Sequence, residues 1–354
     1  MSRPARLAAA ANAAARSVLT ALAHGAILVV WSEAVFWAGP IEGMARLGSL
    51  LPSWIVYSVA GVPLVALMAR PGSARWPAIV LAGAVYGWIV EGAIAATLYL
   101  ELPISISWTG LAWHMPVTVW FGWYGLPILA ARPRGVGWLA LAGLVWGLWA
   151  AFWPNERAWF APEAFALYAF AAIAVATLAQ AAVVRLERGG RSRAAGSPGP
   201  PRWLIVLACA LLALGWAWKL PALGPFALVL PALLVVALPA ARRLEREVRT
   251  RPGTEAAASA LTRRRLGMGA GAVARVAVLP LVAALVHGAF AVAAFAPPFN
   301  IALYLVTVPL GFGLLALALA RALLGRPLRR RHAERPPRGE TAVRGAAPSE
   351  RRVE

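Results

Sequence analysis

The chain has 354 residues, a formal net charge of +20, 61% hydrophobic residues and only 14% charged residues. Soluble globular domains carry about 25% charged residues, so this composition excludes an ordinary soluble domain. An outer-membrane barrel is also excluded, because its short alternating strands do not occur in a sequence whose apolar residues form long, nearly uncharged stretches. The composition predicts an all-α, polytopic integral membrane protein.

Ten apolar stretches follow one another along the chain, most of them long enough to cross roughly 30 Å of hydrocarbon as a helix. The first is longer than the apolar core of a signal peptide and a second follows it at once, so we interpret it as a membrane span. The predicted spans are residues 18–38, 50–69, 77–99, 109–131, 136–153, 165–184, 203–219, 224–241, 272–295 and 300–321.

Lysine and arginine are distributed very unequally between alternate segments of the chain. The N-terminal segment, every second gap and the C-terminal tail together hold 31 of the 34 Lys and Arg residues. The other gaps hold only Arg46, Arg157 and Lys219. Because short cytoplasmic loops are enriched in these residues, the distribution predicts about ten transmembrane helices with both termini cytoplasmic, in the plasma or inner membrane of a bacterial cell.

The strong positive charge is explained by lipid rather than by nucleic acid. The cations lie in short loops and in the tail beside apolar spans, where anionic lipid headgroups attract them. We therefore expect the bilayer as a partner and no nucleic acid.

The single cysteine, Cys209, lies in an apolar span and excludes a disulfide framework. The sequence identifies neither a cofactor nor an oligomeric state.

Composition divides the chain into two membrane modules. Residues 1–188 are a predicted six-span module that holds 14 of the 17 Trp residues. Residues 189–202, rich in Gly, Pro, Ser and Arg, are a predicted flexible cytoplasmic linker. Residues 203–324 are a four-span module, and residues 325–354 are a basic tail predicted to be disordered.

Two similar motifs occur in the two modules, ALAHGAI at 21–27 and ALVHGAF at 284–290. They are either a trace of duplication or a coincidence in an Ala-rich chain.

Three ionisable residues lie inside the first four predicted spans, where a charge costs roughly 2.5–3.5 kcal/mol. Glu33 lies near the end of span one, Glu91 in the outer half of span three, and His114 near the start of span four. The rise of a helix places them about 7–13 Å below the outer surface. Spans three and four are joined by a short connection, so we expect these two spans to pack together. Whether Glu33, Glu91 and His114 meet in space is left open by the sequence.

The connection between these spans, LELPISISWTG at 100–110, is unusually polar. Pro116, in span four, removes a backbone donor and frees a carbonyl. Irregular backbone at membrane depth is tolerated only against protein or in a wet cavity, so we predict a polar cavity that opens outward. Its predicted binding residues are Glu33, Glu91, Glu101, His114, Trp88, Trp113 and Trp120.

Three functions fit this site, and the first is our leading hypothesis. In a proton- or cation-coupled transporter, Glu91 and His114 exchange protons with the outside and couple them to a small solute. In a membrane-embedded enzyme acting on a lipid or lipid-linked substrate, Glu91 and His114 are the candidate catalytic residues, as general base and acid. In a non-catalytic assembly or scaffold protein, neither residue is needed.

The enzyme hypothesis has two further variants. In one, His114, Glu33 and Glu91 bind a metal ion, although the sequence has no HExxH motif and we assign no metal ligands. In the other, Ser105 or Ser107 is a nucleophile that His114 activates.

Overall fold

A computed structural model describes residues 2–39, 47–152, 161–189, 199–249, 259–260, 269–293 and 298–325. Within these ranges the chain is helical, without a β-strand. Seven of the described helices are long and apolar enough to cross a membrane. The predicted all-α fold class is therefore confirmed, and the helices are compatible with a multi-pass membrane protein.

We number the helices that coincide with the ten predicted spans in chain order. They are α1 Arg3–Trp37, α2 Leu47–Met68, α3 Trp76–Ala95, α4 Gly110–Gly125 with its continuation Leu126–Ala130, α5 Gly135–Phe152, α6 Pro162–Gly189, α7 Arg202–Ala217, α8 Leu220–Arg249, α9 Ala270–Val292 and α10 Phe299–Leu324. The helices α4, α5 and α7 are not among the seven, so the count of ten spans stays a prediction.

Helix α3 lies at the centre of the bundle. Its most apolar 18-residue window is 89% buried, compared with 17% for the corresponding windows of α8 and α10. Helices α2, α4, α8 and α10 pack around α3. Glycine allows the closest of these approaches, because a Cβ at Gly87 would lie 2.4 Å from the carbonyl oxygen of Gly110 on α4. An ionisable group on α3 is therefore enclosed by protein.

The two predicted modules pack against each other. Helix α9 lies along α5 and α6, α10 contacts α3 and α4, and α7 contacts α2. Buried apolar residues from both modules form one continuous core cluster. The division at the linker thus stays a prediction from composition. Most of the linker (190–198) and most of the tail (326–354) lie outside the described residues.

The two His-Gly motifs lie on helices that flank α6. Both α1 and α9 pack against α6, and both His24 and His287 are 1% exposed. Their aromatic neighbours differ: the His24 ring lies 5.6 Å from that of Trp123, and the His287 ring lies 4.2 Å from that of Phe165. The motifs therefore share a position beside α6 but not a chemical environment.

Candidate functional site

Each of the three ionisable residues predicted to form a site lies on a π-helical segment. Glu33 lies in Val30–Ala34, Glu91 in Ile89–Ala95 and His114 in Gly110–Gly125. The wider turn appears directly at His114, whose amide donates to the carbonyl of Thr109, five residues earlier, at 2.8 Å. Segments of π-helix are rare and are frequent at functional sites. The local backbone therefore departs from α-helix at all three positions.

Glu91 and His114 form a direct pair. Nε2 of His114 lies 2.7 Å from Oε1 of Glu91. Glu91 is 6% exposed and His114 3% exposed, so protein rather than water surrounds the pair. The packing of spans three and four thus brings the two side chains into contact. Since hydrogen bonds that involve a charged group are roughly twice as strong as neutral ones, the contact is a strong one if either residue is charged.

The connection between α3 and α4 supplies two further donors to Glu91. The hydroxyl of Thr97 donates to Oε2 of Glu91, and the side chain of Thr109 also hydrogen-bonds to this carboxylate. The connection is held against the bundle by the Ser105 hydroxyl, which donates to the carbonyl of Leu98 at 2.7 Å. Glu91 therefore has three side-chain partners, which is what a buried carboxylate requires.

The second nitrogen of His114 faces a network of hydroxyl groups. Nδ1 of His114 lies 3.3 Å from Oγ1 of Thr118. Oγ1 of Thr118 lies 3.3 Å from the carbonyl oxygen of Trp31 and 3.4 Å from Oγ of Ser32, both on α1. Oγ of Ser32 lies 3.2 Å from the hydroxyl of Tyr86 on α3. The network links α1, α3 and α4 around one imidazole ring.

Thr118 has only one hydroxyl hydrogen for two acceptors. If His114 is neutral and Nε2 carries its proton, Thr118 donates to Nδ1 of His114. If His114 is doubly protonated, Nδ1 becomes a donor and Thr118 donates to the carbonyl of Trp31 instead. The direction of the Thr118 hydroxyl therefore depends on the charge of His114.

Glu33 has a neighbouring but separate environment. The Tyr57 hydroxyl donates to Oε1 of Glu33, and Nε1 of Trp37 donates to Oε2 at 2.9 Å. Tyr57 also lies within electrostatic range of Tyr86 and Glu91. Glu33 thus belongs to the same polar region without contacting the Glu91–His114 pair directly.

The other predicted binding residues have more varied positions. Trp88 and Trp113 are buried, and each donates its indole N–H to a backbone carbonyl, that of Ile106 at 2.9 Å and that of Trp31 at 3.0 Å. Trp120 is half-buried and packs against the core. Glu101 is exposed and lies away from the pair in the connection. The two buried indoles brace the backbone around the pair, and the predicted cavity wall stays a prediction.

The structure does not assemble either variant of the enzyme site. The hydroxyls of Ser105 and Ser107 donate to the carbonyls of Leu98 and Val308 rather than to His114. Among the described residues, no three His, Cys, Asp or Glu side chains are grouped as metal ligands. His114, Glu33 and Glu91 therefore do not form the ligand set that the metal variant requires.

Lys219 approaches the site in a way that the sequence did not indicate. Its ammonium donates to the carbonyls of Ala93 at 2.7 Å and Ile94 at 2.5 Å, at the end of the π-helical segment that carries Glu91. A cation at a helix C-terminus is stabilised by the free carbonyls there. The distance of 125 residues between Lys219 and Ile94 in the sequence hides this contact from any local pattern.

Comparison with protein families, with curated proteins and with solved structures gives no match for this chain.

Proposed function

We propose that the protein is a transporter that couples the movement of protons to that of a small solute, with the Glu91–His114 pair as the proton-binding site. The observation that supports this proposal most directly is the 2.7 Å contact between two buried ionisable side chains, His114 on α4 and Glu91 on α3, the most buried of the seven long apolar helices. Ionisable residues inside membrane spans are costly and are typical of proton relays and ion pathways.

The pair is well suited to hold and release one proton. With one proton on it, the pair has no net charge, either as two neutral groups or as carboxylate and imidazolium. A second proton, or the loss of the first, leaves one net charge in a buried site, which is unfavourable unless the surroundings change. Binding or release of a proton therefore favours a different arrangement of the helices, which is the requirement for coupled transport.

The Thr118 hydroxyl offers a route from protonation to helix movement. In the doubly protonated state of His114, Thr118 donates to the Trp31 carbonyl on α1; in the neutral state it turns to the imidazole. The hydrogen bond from Thr118 to α1 is then made in one state and lost in the other, while the indole of Trp113 still donates to the same carbonyl. With the orientation that the arginine distribution predicts, the pair lies in the outer half of the membrane and exchanges with the outside.

The enzyme alternative is less well supported by the same geometry. A histidine that activates a nucleophile needs one nitrogen directed at that nucleophile. Both nitrogens of His114 already face protein partners, Glu91 and Thr118. The scaffold alternative predicts instead that substitutions of Glu91 and His114 have no effect on any activity, which the experiment below tests.

The proposal is tested with purified protein in liposomes adsorbed on a sensor electrode and exposed to amino acids, sugars, nucleosides and organic cations. We expect a solute in this panel to evoke a transient current that depends on the proton gradient. Glu91→Gln should abolish the current, whereas Glu163→Gln should preserve it, because Glu163 is an exposed carboxylate on α6 outside the proposed site. A Glu91→Gln protein with wild-type currents would contradict the proposal.

A further inference from the structure

A second pair of buried ionisable residues lies on α1 and α6. Nε2 of His24 is 3.9 Å from Oε1 of Glu187. His24 is 1% exposed, and the side chain of Glu187 is 9% exposed. The two residues are distant in sequence, yet α1 and α6 pack along each other and bring them together. A carboxylate at this depth is stable only with such a partner.

Trp123 on α4 fixes the protonation pattern of His24. Its indole Nε1 donates to Nδ1 of His24 at 3.1 Å. Because an indole nitrogen is only a donor, Nδ1 of His24 must act as the acceptor. The ring proton of neutral His24 then lies on Nε2, the nitrogen that faces Glu187. Trp123 therefore orients the imidazole, because the hydrogen bond at one ring nitrogen determines which nitrogen carries the proton.

The groups that the surrounding helices bring near His24 are mostly uncharged. Helix α2 places Ser58 beside the neighbouring Gly25, and Trp54 of α2 donates to the carbonyl of Leu22. On α1 itself the nearest charged residue in sequence is Arg16, two turns earlier, and Arg185 of α6 is exposed. Among the described residues, Trp123 of α4 and Glu187 of α6 contact His24, and the polar residues Trp54 and Ser58 of α2 lie beside its neighbours Leu22 and Gly25.

This second pair lies on the other side of the bundle from the first. Eight residues of α1 separate His24 from Ser32, which belongs to the hydroxyl network of His114, so the two levels differ by about 12 Å along the helix. Glu187 lies two residues before the end of α6. The predicted orientation places the start of α1 and the end of α6 at the cytoplasmic surface. Apolar side chains, among them Ile27 and Leu28, occupy the layer between the levels.

We infer that His24 and Glu187 form a second proton-binding site, which exchanges protons with the cytoplasmic side. The site rests on the proposed function, because a proton-coupled transporter must release on one side of the membrane the proton that it binds on the other. A proton from the cytoplasm binds to the Glu187 carboxylate and converts it to the neutral acid, with Nε2 of His24 at 3.9 Å from the Oε1 atom of Glu187. No bond between heavy atoms forms or breaks.

The protonation step is tested by infrared difference spectroscopy of the purified protein between acidic and alkaline buffer. We expect the wild type to show a carbonyl band of a protonated carboxylic acid that is lost in Glu187→Gln and kept in Glu163→Gln, an exposed carboxylate on the same helix. Loss of this carbonyl band in both variants, or in neither variant, would overturn the inference. Glu91→Gln should retain the Glu187 band, so failure of the outer site and failure of the inner site are distinguishable.

A second variant guards against misfolding of Glu187→Gln. In Trp123→Phe the Glu187 carboxylate is intact but Nδ1 of His24 loses its donor, so the midpoint pH of the Glu187 band should shift. An unchanged midpoint would overturn the role of His24 in the site.

The side of exchange is tested by thiol labelling. In a Cys209→Ser background, Glu187→Cys should react with a membrane-impermeant maleimide from the cytoplasmic face of inverted vesicles and Glu91→Cys should not. Labelling of Glu187→Cys only from the outer face would overturn the inference.

Discussion

Nε2 of His114 and Oε1 of Glu91 lie 2.7 Å apart, although the two residues are 23 positions apart and belong to different helices. Neither side chain is accessible enough to water to be solvated alone. Each therefore depends on the other, because a buried charge without a partner is strongly unfavourable. Removal of either side chain should therefore destabilise the other.

The first prediction is that substitutions at the two positions are not additive. His114→Gln should destabilise the protein by roughly 3–5 kcal/mol, because it leaves the buried Glu91 carboxyl group without the imidazole that contacts it. The double variant Glu91→Gln with His114→Gln should cost less than the sum of the two single variants, with a coupling of about 0.5–3 kcal/mol. Equilibrium unfolding in mixed micelles measures these values. Strict additivity would show that the contact has no energetic significance.

The second prediction concerns Thr118. Thr118→Val keeps the side-chain shape but removes the hydroxyl that lies between His114 and the Trp31 carbonyl, so it should cost about 1–3 kcal/mol. It should also reduce solute-evoked currents, because the link between protonation and α1 is lost. Thr20→Val is the matched control, since the Thr20 hydroxyl donates only to the carbonyl of Arg16 on its own helix. Equal effects of the two substitutions on the current would argue against the proposed link.

The sequence predicted the helical fold, the packing of spans three and four and the similar depth of Glu91 and His114 for simple physical reasons. Long apolar stretches can only be helices in hydrocarbon, and a short connection makes consecutive helices antiparallel neighbours. The depth of an ionisable residue along a helix follows from a count of residues. Span length, the packing of consecutive helices and depth along a helix all follow from local sequence and from regular helix geometry.

The rest of the site depends on irregular backbone and on distant parts of the chain. The π-helical turns rotate Ser32 and Thr118 away from the faces that a regular helix would give them, so their network does not follow from helical periodicity. Lys219 and Glu187 reach the core through the packing of distant helices, and no sequence pattern encodes that packing. The indoles of Trp88 and Trp113 donate to backbone carbonyls and brace the helices, a role that their sequence positions did not indicate.

The third prediction concerns Lys219. Lys219→Met removes the ammonium that donates to Ala93 and Ile94 and leaves carbonyls at the end of α3 without that donor. Loss of these partly buried hydrogen bonds should cost about 1 kcal/mol, and the end of α3 should become more mobile. Hydrogen exchange of peptides that cover residues 89–99 measures this mobility.

Lys219→Arg is the conservative variant for this contact, since it retains a positive charge and several donors. We expect it to protect the same peptides better than Lys219→Met does. If Lys219→Met exchanges at the wild-type rate, the contact does not stabilise the segment that carries Glu91.

The fourth prediction uses the close approach of α4 to α1. A Cβ at Gly122 would lie 2.2 Å from Cγ of Trp31, whereas a Cβ at Gly313 would meet no atom within 4 Å. Overpacking of this kind costs roughly 1–3 kcal/mol, so Gly122→Ala should lower the unfolding temperature. Gly313→Ala should be neutral or stabilise α10 by up to about 1 kcal/mol, because alanine favours a helix more than glycine does.

The same substitution at Gly122 should also affect the site, because Trp31 is the residue whose carbonyl faces Thr118. A displaced Trp31 lengthens that contact, so the solute-evoked current of Gly122→Ala should fall by more than its loss of stability explains. The comparison is made at a temperature where both glycine variants are fully folded. If the currents of Gly122→Ala and Gly313→Ala are equal under that condition, then the position of α1 relative to α4 does not control the response of the Glu91–His114 pair.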